Sequence, residues 1–133
     1  MRGYNAKMKK GRIVPNGVVL EAHEYKTVLF FTELGFNVKL IPKSNKQGEH
    51  SPDIRIGKLF WEMKAPKGEG GSLMKNTLQK AARQSENVIV DLRRTKRHQT
   101  KCISEIKREF SNSKRLKRIK IITKTNNLIE ISK

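Results

Sequence analysis

Residues 51–66, SPDIRIGKLFWEMKAP, limit what this chain can fold into more than any other stretch. Asp53-Ile-Arg-Ile56 alternates polar and apolar, and Leu59-Phe-Trp-Glu-Met-Lys64 holds two interleaved sets. Both halves read as strands. Gly57-Lys58 between them suits a two-residue type II′ hairpin turn. That register pairs Ile56 with Leu59, Arg55 with Phe60, Ile54 with Trp61 and Asp53 with Glu62. Because side chains alternate faces, Asp53, Arg55, Phe60, Glu62 and Lys64 share one side. Ile54, Ile56, Leu59, Trp61 and Met63 form the other, which reads as core.

Such a hairpin sets two carboxylates opposite each other, with Cβ atoms roughly 5 Å apart, and like charges so placed are destabilising. Lys64 supplies one compensating charge on the same face. A divalent metal would supply two, and hard cations such as Mg²⁺ take carboxylate oxygens and water, which suits phosphate chemistry. The competing reading is a solvated hairpin face with a surface salt bridge, because Glu-x-Lys alone is common by chance.

The charge balance narrows the partner. The 133 residues carry 30 lysines and arginines against 12 acidic residues, a net +18, in a length suited to one domain. A polyanion is implied, nucleic acid first. A membrane fits less well, since the sequence has no long apolar run and no basic helix with a bulky aromatic face. MRGYNAKMKKGR at the start lacks the apolar segment of a signal peptide. Cys102 is alone and falls at helical spacing with Ile103 and Ile106, which makes it a small core residue. No Cys/His cluster has zinc spacing.

In chain order, residues 1–19 read as a basic arm or linker with a short strand at residues 12–14, and residues 20–133 as the domain. Residues 20–34 predict a helix ended by Gly35, with Leu20, Thr27, Val28, Phe31 and Leu34 as its apolar stripe. Glu24 projects into that stripe, where a carboxylate is costly unless paired or metal-bound; the alternatives are that it turns outward or meets a lysine. His23 borders the same face as a surface or supporting histidine. Residues 36–41 alternate as a strand, and a polar loop over 42–51 carries His50. After the hairpin, residues 65–71 form a flexible basic loop beside Lys64. Ser72 is a candidate N-cap for a helix over 73–85, with Met74, Leu78, Ala81 and Ala82 buried and Gln84 beside that face. Residues 88–92, VIVDL, then read as a central strand. Helix and buried strand after a hairpin require a crossover, hence a mixed α/β sheet flanked by helices.

Residues 93–133 hold 14 lysines and arginines against 3 acidic residues, most of the net charge. They predict an amphipathic helix through Cys102, Ile103, Ile106 and Phe110, then strands at 119–122 and 128–131 joined by Lys124-Thr-Asn-Asn127. The charge therefore decorates folded elements, as a phosphate-tracking surface would require.

The ordered set His23-Glu24, Leu34-Gly35, Pro52-Asp53-Ile54, Gly57, Trp61-Glu62-Met63-Lys64, Ala81-Ala82-Arg83-Gln84 and Val88-Ile-Val-Asp-Leu92 resembles the PD-(D/E)XK nuclease superfamily. Within it, the chain is most similar to the C-terminal tRNA-nuclease domains of contact-dependent growth inhibition toxins, over roughly residues 12–131. The resemblance implies a restriction-endonuclease-like core and a metal-dependent nuclease acting in the bacterial cytoplasm of a target cell. It implies a divalent ion (Mg²⁺ first, Mn²⁺ or Zn²⁺ as alternatives) held by Asp53, Glu62 and the Met63 carbonyl, with Glu24 completing the cluster directly or through water. Lys64 would orient and deprotonate the attacking water or stabilise phosphate charge, and Gln84 would position substrate or Lys64. An acidic immunity protein is the implied partner besides tRNA. Three readings stay open: an RNase acting on tRNA, a DNA endonuclease of the same fold, and a non-catalytic basic binding module. Metal-free cleavage by His23, His50 and His98 is an outlying fourth.

Overall fold

Period-two alternation in the sequence becomes one mixed sheet. The computed structural model of the protein describes residues 9–43 and 51–133, so His50 lies outside the described residues. The strands are β1 (Ile13–Val14), β2 (Val38–Leu40), β3 (Ile54–Ile56), β4 (Leu59–Lys64), β5 (Asn87–Asp91), β6 (Arg118–Ile122) and β7 (Leu128–Ser132). Their order across the sheet is their order in the chain. β1–β2, β4–β5 and β5–β6 are parallel; the other neighbours are antiparallel. Each parallel step needs a crossover, supplied by the helices α1 (Ala22–Glu33), α2 (Leu73–Ala82) and α3 (Gln99–Asn112). The result is a single α/β domain. Among the described residues no helix is long and apolar enough to cross a membrane.

The sheet separates two apolar clusters. α2 and α3 bury Met74, Leu78, Ala81, Cys102, Ile106 and Phe110 against Val88, Val90, Ile119 and Ile121. α1 buries Val28, Phe30 and Phe31 on the other side, against Val38, Ile54, Trp61, Met63, Ile89 and Ile122. β5 thus sends alternate residues into both clusters, and all five are buried. Fully burying an apolar side chain such as Val88, Ile89 or Val90 is worth about 1.5–3 kcal/mol, which explains the apolar run. Cys102 is wholly enclosed, and desolvation raises its thiol pKa, in keeping with a core residue.

The hairpin forms in the expected register, Ile54 with Trp61 and Ile56 with Leu59. Gly57 has φ +61°, as the first central residue of a type II′ turn requires. The ladder stops one pair short of Asp53 and Glu62. The Asp53 N–H still donates to the Trp61 carbonyl at 2.9 Å, while its carboxylate accepts from the Met63 N–H at 2.8 Å. A short acidic side chain has bonded a backbone donor in place of a ladder partner.

Two helix ends differ from the sequence pattern. α2 stops at Ala82, so Gln84 lies in the turn beyond it. There the Ser85 hydroxyl and the Asn87 amide both donate to the Phe60 carbonyl, drawing the chain into β5. Ser72 holds the N-cap position of α2, but its hydroxyl makes no capping bond.

Residues preceding α1 contribute to the sheet through β1. Gly11 donates to the Thr32 carbonyl at 2.7 Å, and a Cβ there would stand 1.7 Å from the Phe36 carbonyl oxygen. Backbone cannot yield cheaply to that overlap. Gly11→Ala is expected to lower unfolding stability by about 1–3 kcal/mol, measured by urea denaturation.

Lys120 is buried although charged. It pairs with Glu130, and its ammonium lies 5.0 Å from the Trp61 ring and 5.4 Å from that of Phe36. Aromatic faces and one carboxylate offset its lost hydration.

Candidate active site

A cavity of about 620 Å³ opens where α1 begins, β3 begins, β4 ends and one side of α2 faces the sheet. Its walls include Glu24, Asp53, Glu62, Met63, Lys64 and Gln84, so six residues singled out from sequence share one space. Alternation along β4 explains half of this. Trp61 and Met63 anchor in the core under α1, so Glu62 and Lys64 point to the other side.

Glu62 is the most enclosed of the set, 3% exposed. Its carboxyl pKa is pushed up to about 7, first by desolvation and then by the neighbouring Asp53; Lys64 and Lys43 oppose the rise without cancelling it. Lys64 Nζ lies 3.4 Å from Glu62, and Lys43 Nζ lies 2.5 Å from Asp53. The Gln84 amide is satisfied with its nitrogen toward Glu62, at 3.2 and 3.3 Å from the two carboxylate oxygens. Gln84 in this orientation steadies Glu62.

Glu24 reaches the cavity from the first turn of α1, where Oε1 accepts the Glu21 N–H at 3.0 Å. Among the described residues, no three acidic, histidine or cysteine side chains converge into a ready-made metal cage. The donor set in contact is the pair Asp53 and Glu62. That set fits a hard divalent ion, which uses one or two carboxylates and keeps several waters. The raised Glu62 pKa agrees with this: burial first and the adjacent Asp53 second disfavour its charged form, and a bound cation would favour that form.

His23 also lines the cavity, with Nδ1 3.5 Å from Glu21. His98 instead accepts the Thr100 N–H at the start of α3 and is not in the cavity wall. The structure does not bring these two histidines together.

Sequence reasoning missed Lys43, Thr77 and Lys80, all in the wall. Thr77, Lys80 and Gln84 run at helical spacing beside the apolar stripe of α2, a signal that was present. Lys43 had none, since it comes from an irregular loop. The loop over residues 65–71 is tied down: the Gly68 carbonyl accepts from the Thr95 hydroxyl at 2.5 Å and from the Lys96 N–H at 3.0 Å.

Glu62 makes stability depend on pH. Its pKa is about 7 in the folded metal-free protein and near 4.5 when exposed. The folded state therefore holds the proton more tightly, and this contribution is complete below about pH 4.5 and lost as pH rises through about 7. Glu62→Gln, which cannot ionise, is expected to be more stable than wild type at pH 8 without metal, by on the order of 2 kcal/mol. At pH 4.5 the two should match closely. Thermal melts in EDTA at both pH values check this.

No curated protein matches the chain. Among solved structures, a CdiA-CT/CdiI toxin and immunity complex from Burkholderia pseudomallei is similar in fold, with TM-score 0.62 and 16% identity over 88% of this chain and 92% of that one. Residues 49–128, which span Asp53, Glu62, Lys64 and Gln84 but not Glu24, match the family described as contact-dependent growth inhibition CdiA C-terminal domain. With more than half its length so matched, the chain belongs to the CdiA C-terminal domain family of contact-dependent growth inhibition.

Proposed function

We propose that the chain is a metal-dependent nuclease of the PD-(D/E)XK type, a toxin domain that hydrolyses RNA with tRNA as its substrate. One observation carries the reading: Asp53 and a nearly enclosed Glu62 press together beside Lys64, in a cavity of about 620 Å³, on a chain of net +18. A structural ion pair would not need a second carboxylate there. Phosphodiester hydrolysis needs a cation-holding acid pair, a nearby base or charge donor, and a basic surface for the polyanion.

In this reading Asp53, Glu62 and the Met63 carbonyl hold the divalent ion, Mg²⁺ before Mn²⁺ or Zn²⁺, with Glu24 joining through water. The ion supplies charge neutralisation at phosphoryl oxygens and acidifies water. Lys64 takes or orients the proton of the attacking water and offsets charge on the phosphate. Gln84 holds Glu62 in the orientation that points its oxygens into the cavity. Lys43, which pairs with Asp53, would be free to meet a phosphate once Asp53 held a divalent ion.

A toxin made in its own cell must be neutralised there. The structural neighbour is described as a toxin and immunity complex, which supports an immunity protein for this chain, acidic to match the basic surface. The site of action is the cytoplasm of the target cell, where tRNA is found.

Incubation with tRNA and with duplex DNA, each with Mg²⁺ or EDTA, tests the reading. Expected is cleavage of tRNA with Mg²⁺ alone. Cutting of DNA only would reassign the substrate, and binding without cleavage would reduce the domain to a basic module. Cleavage in EDTA would overturn the metal role.

A further inference from the structure

A second cavity, of about 470 Å³, adjoins the first and shares His23 with it. It lies between the first turns of α1 and the segment leaving β5, and its walls are His23, Lys26, Asp91, Arg93 and Arg94. One of its cations is already used. Arg93 makes paired bonds to Asp91, from Nε at 2.9 Å and Nη2 at 2.8 Å, donates to the Lys26 carbonyl at 3.0 Å, and lies 5.3 Å from the Phe30 ring. Asp91 also accepts the Thr27 hydroxyl at 2.7 Å. This network locks the end of β5 to α1. It anchors the Lys26 backbone and the segment that carries Arg94, and for neither side chain does a carboxylate partner occur among the described residues.

The cavity thus has a hydrogen-bonded wall, carries two uncommitted cations, and continues from the acidic pair through His23. We propose that it seats the sugar-phosphate backbone beside the scissile phosphate, with Lys26 and Arg94 as substrate-positioning residues. This rests on the nuclease reading for the location of the scissile bond. It also sorts the basic residues. β4, β5 and β6 run parallel, so Lys64, Arg94 and the Gly68 loop gather at one end of the sheet. Lys58 and Lys117, which precede β4 and β6, lie at the other. Net charge alone would treat both ends alike.

The test uses the Asp53→Asn background, so that binding is read without cleavage, with tRNA as the probe and salt varied. Lys26→Ala/Arg94→Ala is expected to weaken binding at least about tenfold at 0.15 M salt. It should also flatten the slope of log affinity against log salt by about 1.5, for two lost phosphate contacts. Lys58→Ala/Lys117→Ala removes equal charge and is expected to cost less than about threefold. Equal losses from both pairs would overturn the proposal, as would no loss from Lys26→Ala/Arg94→Ala. Wild type that binds tRNA through this cavity yet never cuts it would sink the nuclease reading and leave the binding site standing. Thermal melts of each variant identify losses that come from unfolding, and Lys26→Arg/Arg94→Lys, which keeps the charge, should restore most of the affinity.

Discussion

Asp53→Asn is expected to abolish RNA cleavage, by about 10³-fold or more, the order of loss seen when one transition-state stabiliser is removed, while the protein melts at the same temperature or higher. The two halves of this outcome come from different contacts. The carboxylate at 53 crowds Glu62 and helps to raise its pKa to about 7. An amide removes that repulsion, so the metal-free fold gains. It also keeps an oxygen for the Met63 N–H, now bonded to Asp53 at 2.8 Å. Asp53→Ala would lose this acceptor and leave a part-buried N–H unpaired, at a cost of about 1–3 kcal/mol. Comparing the two variants separates the electrostatic role of Asp53 from its structural one. tRNA binding should persist in Asp53→Asn, because the cations that track phosphate are untouched. Single-turnover assays with Mg²⁺, melts in EDTA and filter binding measure the three quantities. Undiminished cleavage by Asp53→Asn would show that the active site lies elsewhere.

Lys64→Ala should lower turnover by about 10²- to 10⁴-fold, the usual worth of a positioned proton-transfer group. Here the metal-holding carboxylates remain. Titration calorimetry with Mg²⁺ at pH 8 is expected to detect binding close to that of wild type. At pH 6 binding should weaken, because Lys64 lowers the Glu62 pKa and its loss lets Glu62 keep its proton further up the scale. Lys64→Arg keeps the charge, but a guanidinium does not give up a proton. Recovery of turnover in Lys64→Arg would mean that charge on the phosphate is what Lys64 supplies. No recovery would assign it to the water proton. Full activity in Lys64→Ala would remove Lys64 from the mechanism altogether.

The hairpin, its register and its two faces were legible in residues 53–64, because strand alternation and a glycine turn are properties of adjacent residues. The same holds for β5, whose nearly continuous apolar run follows from burial on both sides of the sheet. Helix and strand existence along residues 99–132 was likewise local, set by the spacing of Ile106, Phe110, Ile119 and Ile121. Other features were decided only by packing between distant segments. Helical spacing put Gln84 on the same side as Thr77 and Lys80, but that it meets Glu62 depends on how the turn beyond α2 packs against β4. Lys43 reaches Asp53 from an irregular loop. The Glu62 pKa depends on how tightly α2 and β4 exclude water, and water exclusion is a property of the assembled walls. Sequence placed most of the net positive charge in residues 93–133, but only the sheet decides which cations share an end with the acidic pair. Patterns of period 2 and 3.6 fix which way a side chain faces; what it faces is set by contacts between segments far apart in the chain.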